Sequence, residues 1–191
     1  MEQFRCFIAI ELPEEVKAGL TRLQAKLKAS QLRVKWVDPY GIHLTLKFLG
    51  NVDADRISQI TGAMEEAAQG VPPFHLEIKG LGVFPNLRRV QVAWVGVSGE
   101  VDKLVQLQQR LESNLAGLGF APEPRAFTPH LTLARVRDQA SPEERQRLGQ
   151  LIADTKFEAT GSFPVEAISL IRSQLTREGA IYSQISSVKL K

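Results

Sequence analysis

An α+β fold of two pseudo-symmetric lobes, each an antiparallel sheet flanked by helices around a central cleft, is what this chain of 191 residues predicts. Three observations lead there. The tetrapeptide HLTL occurs at residues 43–46 and again at 130–133, taking two of the chain's three histidines. The copies lie 87 positions apart, and so do the apolar runs at residues 7–10 and 94–97. Around each copy the patterning repeats in one order: strand, helix, strand, helix, strand. Symmetric units meet at equivalent surfaces, so the two HLTL strands are expected to face each other.

The elements follow in chain order. RCFIAIEL is apolar and strand-like, and Pro13 with Glu14 and Glu15 opens a helix whose first turn favours acids. Val16, Leu20, Leu23 and Leu27 recur at three- and four-residue spacing, the apolar stripe of an amphipathic helix. Residues 36–40 read as a loop, and HLTLKFL as a strand stopped by Gly50 and Asn51. Asp53 is expected to cap a helix over residues 54–68, closed by Gly70, Pro72 and Pro73. FHLEIKGLGVF and RRVQVAWVGV, joined at Pro85 and Asn86, read as a hairpin. A helix over about residues 100–115 turns Val101, Leu104, Val105, Gln108 and Leu111 inward. GLGFAPEPR then leads to the second HLTL strand. Ser141, Pro142, Glu143 and Glu144 have the order of an N-cap, a first-turn proline and first-turn acids for a helix reaching about residue 154. FEATGSFPVEAISLIRSQ and AIYSQISSVKL alternate as strands do. With no linker long enough to separate independent units, residues 1–191 are read as one two-lobed domain.

Composition narrows the class of protein. The chain is 43% hydrophobic and 24% charged, enough for a core. It has no apolar run approaching the ~18 residues of a membrane span. The start, MEQFRCFIAIELPEE, lacks the basic region and cleavage site of a secretory signal, so the expected location is cytoplasmic. Cys6, the one cysteine, sits in an apolar run and is expected to be a small core residue. A net charge of +3 and a pI near 9.1 lean mildly toward a polyanionic partner, but the basic residues are scattered, as on a solvated surface.

The repeated tetrapeptide carries the chemistry. Alternation in a strand projects His43 with Thr45 to one face and sends Ile42, Leu44 and Leu46 to the other. His130 and Thr132 do the same over Leu131 and Leu133. Two imidazoles and two hydroxyls across a cleft suit attack at phosphorus. In-line displacement needs a base on the incoming oxygen and an acid on the leaving one, and imidazoles near pKa ~6.5 serve as either. The hydroxyls can donate to the charged phosphate oxygens. A satisfied structural histidine is the bland alternative for either copy alone. Burying two His and two Thr without partners would be costly, which weighs against it for the pair. A zinc site fits poorly, because His75 in FHLEI has no ligand spacing to the other two. No P-loop, Gly-x-Ser-x-Gly or Cys-x-x-Cys is present. No metal and no cofactor are expected.

With these residues in place, the chain resembles the two-histidine phosphoesterase superfamily, defined by paired His-x-Thr-x motifs in symmetric lobes. It is most similar to the RNA 2′,3′-cyclic phosphodiesterases, also called 2′-5′ RNA ligases. RCFIAIELP, HLTLKFLG, GLGVFPNLRRVQVAW, HLTLAR and SLIRSQLTREGAIY carry the likeness over nearly the whole length. It implies hydrolysis of a 2′,3′-cyclic phosphate to a 2′-phosphate, with weak 2′-5′ ligation in some relatives. By position, His43 would protonate the leaving 3′ oxygen and His130 activate water; from the spacing alone the roles are interchangeable. Arg135 matches a phosphate-binding residue, while Phe48, Phe7 and Tyr182 are candidates for stacking on a base. Plain alternation puts Arg135 and Phe48 on the wrong face: either the strand ends or bulges after Leu133, or Arg135 reaches around. The same alternation gives Lys47 the parity of the cleft. The expected partner is RNA or an oligonucleotide with a 2′,3′-cyclic phosphate end, taken by a monomer away from membranes. Other 2′-linked substrates, ADP-ribose 1″,2″-cyclic phosphate or 2′-5′ oligoadenylate, are the nearest alternatives. A non-catalytic RNA-binding module is the alternative from another class.

Overall fold

The computed structural model describes residues 1–158 and 161–191, so positions 159–160 of the FEATG segment lie outside the described residues. Two antiparallel sheets are formed by β1 (Gln3–Ile10), β2 (Val34–Trp36), β3 (Leu44–Asp53), β4 (Phe74–Phe84), β5 (Val92–Gly99), β6 (His130–Val136), β7 (Ser162–Val165), β8 (Ala167–Thr176) and β9 (Gly179–Lys189). Four helices accompany them: α1 (Glu14–Lys28), α2 (Ile57–Ala68), α3 (Val101–Ala116) and α4 (Pro142–Asp154). The first sheet has the order β3-β1-β8-β9 and the second β2-β6-β5-β4-β7.

The two lobes are present, but neither is built from one half of the chain. A short turn suffices for a hairpin, so β4 stays beside β5 in the second sheet. That leaves one edge of β1 open, and β8 fills it. Helices cross as well. α2 and α3 pack on each other and against β9 and β3 of the first sheet, whereas α4 lies on β4 of the second. On α1, the buried Gln24 donates through Nε2 to the carbonyls of Val37 at 2.7 Å and Leu133 at 3.2 Å, tying that helix to β6. One apolar core runs through both lobes, from Ile8, Ile10 and Leu44 to Val95, Leu131 and Leu133.

Local signals explain most elements. The stripe of α1 is buried at Val16, Leu20, Leu23 and Leu27 as its spacing requires. α4 begins in a full capping box: Glu144 N–H donates to Ser141 Oγ at 3.1 Å and Ser141 N–H donates to Glu144 Oε2 at 3.1 Å. Cys6 is a buried core residue, and burial pushes its thiol pKa up.

Several expectations are corrected. Residues 34–36 form a strand because Val34 and Trp36 pair with Val136 and Ala134 across the second sheet, a contact no local pattern reveals. β3 runs through Gly50 and Asn51, with Gly50 in the left-handed region at φ +70°. Asp53 does not cap α2. A 3₁₀ turn at Ala54–Arg56 intervenes, and the Asp53 carboxylate accepts from Gln3 Nε2 at 2.9 Å. β5 starts at Val92, not Arg88. In α3, Leu107 and Leu115 are buried while Val101 and Val105 are half-buried.

One irregularity occurs in both lobes. Ala9 stands opposite Thr45 and Ile8 opposite Lys47, so Leu46 is an extra residue in β3. Trp94 stands opposite Thr132 and Ala93 opposite Ala134, so Leu133 is extra in β6. These are equivalent β-bulges, 87 positions apart like the histidines. The pairing also corrects the first-strand alignment: Ala9 and Trp94 are the equivalent residues, 85 apart rather than 87. Each bulge carbonyl accepts from a buried glutamine. Gln24 of α1 donates to Leu133 O at 3.2 Å, and Gln108 of α3 donates to Leu46 O at 3.4 Å. Leu133 O also accepts from Val37 N at 2.9 Å, so Gln24 is a second donor there, and each glutamine ties its helix to a bulge.

Candidate active site

A bulge reverses the alternation beyond it, and this decides which side chains reach the cleft. Phe48 pairs with Phe7, which alternation places on the face of Ala9 and Thr45. Arg135 pairs with Val92, on the face of Trp94 and Thr132. Phe48 and Arg135 therefore share the cleft face with the motif residues. Lys47 goes the other way, contrary to the expectation from plain alternation. It is buried on the helical side, donating to Glu112 Oε2 at 3.0 Å and Ala121 O at 2.7 Å. The cleft floor of the second sheet consists of cross-strand rows: His130 beside Gly96, then Thr132, Trp94 and Gly82, then Lys35, Arg135, Val92 and Phe84.

β3 and β6 are in contact between the sheets, which brings the two motif strands together. Both histidines are half-buried and held in the same way. His43 Nδ1 lies 3.0 Å from Gly41 O, and His130 Nδ1 lies 2.7 Å from Thr128 O, each the carbonyl two residues back. A carbonyl only accepts, so Nδ1 carries the proton in both rings. Nε2 is then left as the base in the neutral form and as a donor in the charged one.

Aromatic rings fix the planes of the imidazoles. Phe7 and Tyr182 meet His43 edge-on, with centroids at 5.5 and 5.1 Å. Phe7 also lies 6.0 Å from Phe48 and 5.6 Å from Tyr182, so the three residues singled out for stacking form one cluster around His43. Phe48 is 71% exposed and Tyr182 37%, which leaves ring surface free at the mouth of the cleft. Phe7 is buried, forming the base of the cluster. His130 is held by Phe84 at 5.0 Å and Trp94 at 6.4 Å. Those two escaped the sequence reading because their cleft orientation depends on the pairing of β4, β5 and β6. Alternation along QVAW gives Trp94 a face but not which face.

Burial lowers the pKa of His43 below its ordinary value, with Lys17 adding to the effect, while the Gly41 carbonyl and Glu11 oppose it. A bound phosphate anion reverses this balance by favouring the protonated ring. The floor around His43 is aromatic, whereas Arg135 and Lys35 make the second lobe's floor cationic. His75 is exposed on β4, away from both motifs in the sequence. Among the described residues no group of three or more His, Cys, Asp or Glu is arranged to hold a metal ion.

The family model described as LigT-like phosphoesterase matches the chain twice, over residues 10–94 and 95–182, which is the duplication seen in the strands. An RNA 2′,3′-cyclic phosphodiesterase of Methanothermobacter thermautotrophicus is 37% identical over 97% of this chain and 98% of its own length. One from Thermotoga maritima is 35% identical over 93% of this chain and 91% of its own. The crystal structure of E. coli LigT complexed with 3′-AMP aligns with a TM-score of 0.78 and 27% identity, covering 100% of this chain and 99% of that one. The chain belongs to the LigT-like phosphoesterase family.

Proposed function

We propose that the protein is an RNA 2′,3′-cyclic phosphodiesterase in which His43 and His130 act as an acid–base pair on one phosphorus atom, with no metal ion. The observation that supports this most is the matching tethering of both rings, Nδ1 to the backbone carbonyl two residues back, at the starts of equivalent bulged strands. His130 Nε2 takes a proton from water, whose oxygen bonds to phosphorus. The P–O3′ bond breaks, and His43 Nε2–H supplies the proton to that oxygen, leaving a 2′-phosphomonoester. Thr45 and Thr132 donate to the non-bridging oxygens, where charge accumulates. Arg135 adds a guanidinium to the phosphate side, and Phe48, Phe7 and Tyr182 receive the base of the terminal nucleotide. Weak 2′-5′ ligation is the same displacement with a 5′ hydroxyl in place of water: its oxygen bonds to phosphorus as P–O3′ breaks, and the proton returns to O3′. No helix among the described residues is long and apolar enough to cross a membrane, and we take the working form as a cytoplasmic monomer.

Incubation with an oligonucleotide ending in a 2′,3′-cyclic phosphate, followed by ³¹P NMR of the product, tests the reading. A 2′-phosphate formed at a rate indifferent to EDTA is expected. A 3′-phosphate would assign the other leaving oxygen, and loss of rate with EDTA would remove the two-imidazole mechanism.

A further inference from the structure

A nucleotide with a terminal 2′,3′-cyclic phosphate is attached to the rest of its RNA only through O5′, so the strand must leave the cleft over one lobe. Beyond His130 the cleft face of the second sheet continues into an open groove of about 730 Å³, walled by Trp94, Gly82 and Val83 and by the β4–β5 loop with Leu87, Arg88 and Arg89. Gly82 is the third residue of the row that begins with Thr132 and Trp94. At ~4.8 Å per strand it lies about 10 Å from Thr132. Trp94 belongs to both places, its ring 6.4 Å from His130 and also lining the groove.

The groove is built rather than incidental. A Cβ on Gly82 would fall 2.1 Å from Trp94 Cζ2, so the absence of a side chain there lets the indole lie over the strand. The loop is fixed by its own bonds: Asn86 Oδ1 accepts from Arg88 N and Arg89 N, both at 3.0 Å, and Gln91 N donates to Phe84 O at 2.8 Å. α4 supports it from outside. A Cβ on Gly149 would meet Leu87 O at 2.2 Å, and Arg145 Nη1 donates to Val90 O at 2.9 Å. Both arginine side chains are exposed. The ion pairs among the described residues are Lys47–Glu112 and Lys103–Glu100, so neither guanidinium is engaged by an acid. In the first sheet the equivalent rows of the cleft face carry Ala9, Ile171 and Phe48, and the cation on that face of β1, exposed Arg5, lies beyond them.

We infer that this groove binds the RNA strand on the 5′ side of the cyclic phosphate, Arg88 and Arg89 meeting its phosphodiesters and Trp94 offering a surface to a base. Two cations and an indole on the catalytic face suit a single strand, whose affinity comes from phosphate contacts and stacking rather than base identity. The inference rests on the phosphodiesterase reading and adds a preference for chain over mononucleotide.

The test compares kcat/KM for adenosine 2′,3′-cyclic phosphate and for an oligoadenylate trinucleotide with the same end, in the wild type and in Arg88→Ala/Arg89→Ala. Expected is a wild-type preference for the trinucleotide and a fall of about tenfold in the trinucleotide-to-mononucleotide ratio on losing two phosphate contacts. The slope of log(kcat/KM) against log salt for the trinucleotide should also become shallower by about 1.4, at ~0.7 per contact. An active variant with ratio and slope unchanged overturns the groove. Wild-type protein inactive on both substrates overturns the phosphodiesterase reading instead.

Discussion

His43→Ala and His130→Ala are each expected to lower kcat on a 2′,3′-cyclic phosphate by about 10²- to 10⁴-fold, the usual worth of a positioned acid or base. His43 directly precedes β3 and His130 begins β6, each next to a fully buried leucine, Leu44 or Leu131, so an alanine in place of a half-buried imidazole leaves the fold intact. The double variant should be little worse than either single one, because the two groups act on one displacement. The pH profiles supply a second signature. Wild-type protein should show a bell, since one ring must be neutral and the other charged. Burial disfavours the charged form of His43 in the free protein, and the substrate's phosphate favours it. The descending limb of kcat/KM, which reports free enzyme, should therefore fall at lower pH than that of kcat. Coincident limbs, or full activity in either alanine variant, would contradict the assignment.

Glu112→Ala is expected to destabilise the fold by about 3 to 5 kcal/mol, the cost of leaving a buried charge without its partner. The Lys47 side chain is only 5% exposed, and its ammonium is held by Glu112 and the Ala121 carbonyl. Glu112 also accepts from Gln108 Nε2 at 3.3 Å and from Glu123 N at 3.3 Å, so it organises the α3 side of the bulge at Leu46. Replacing both partners, Lys47→Met with Glu112→Leu, removes the stranded charge and should recover most of that loss. Urea unfolding with a constant m-value measures both variants. A single variant within about 1 kcal/mol of wild type would show that the pair is solvated in solution.

His43, Thr45, His130 and Thr132 were legible because a four-residue repeat in a histidine-poor chain is a one-dimensional signal, and strand alternation assigns each copy a face. Ser141 was legible as an N-cap and Glu144 as a first-turn acid because such signals are local, while the capping box they close together is visible only in the structure. Lys47 was misplaced, and Phe48 and Arg135 were in doubt, for one reason: a bulge inserts no recognisable residue type. Only the pairing with β1 and β5 shows that Leu46 and Leu133 are extra. The exchange of β4 and β8 was equally hidden, since a hairpin signal tells which strands are neighbours in sequence but not which sheet they complete. Lys35, Phe84 and Trp94 reach the cleft floor through contacts between strands distant along the chain. Their types gave no hint of it.

With only three histidines in the chain, ¹⁵N imidazole NMR during titration with a nucleoside 2′-monophosphate, the expected product, reads the centre of the account directly. Free protein is expected to show His43 and His130 with Nδ1 protonated, and His43 titrating below its ordinary range. Added ligand should then shift the Nε2 signals of both rings with one apparent affinity while His75 stays where it was. Movement of one motif histidine alone, or of each with its own affinity, would contradict two imidazoles closing on a single phosphorus.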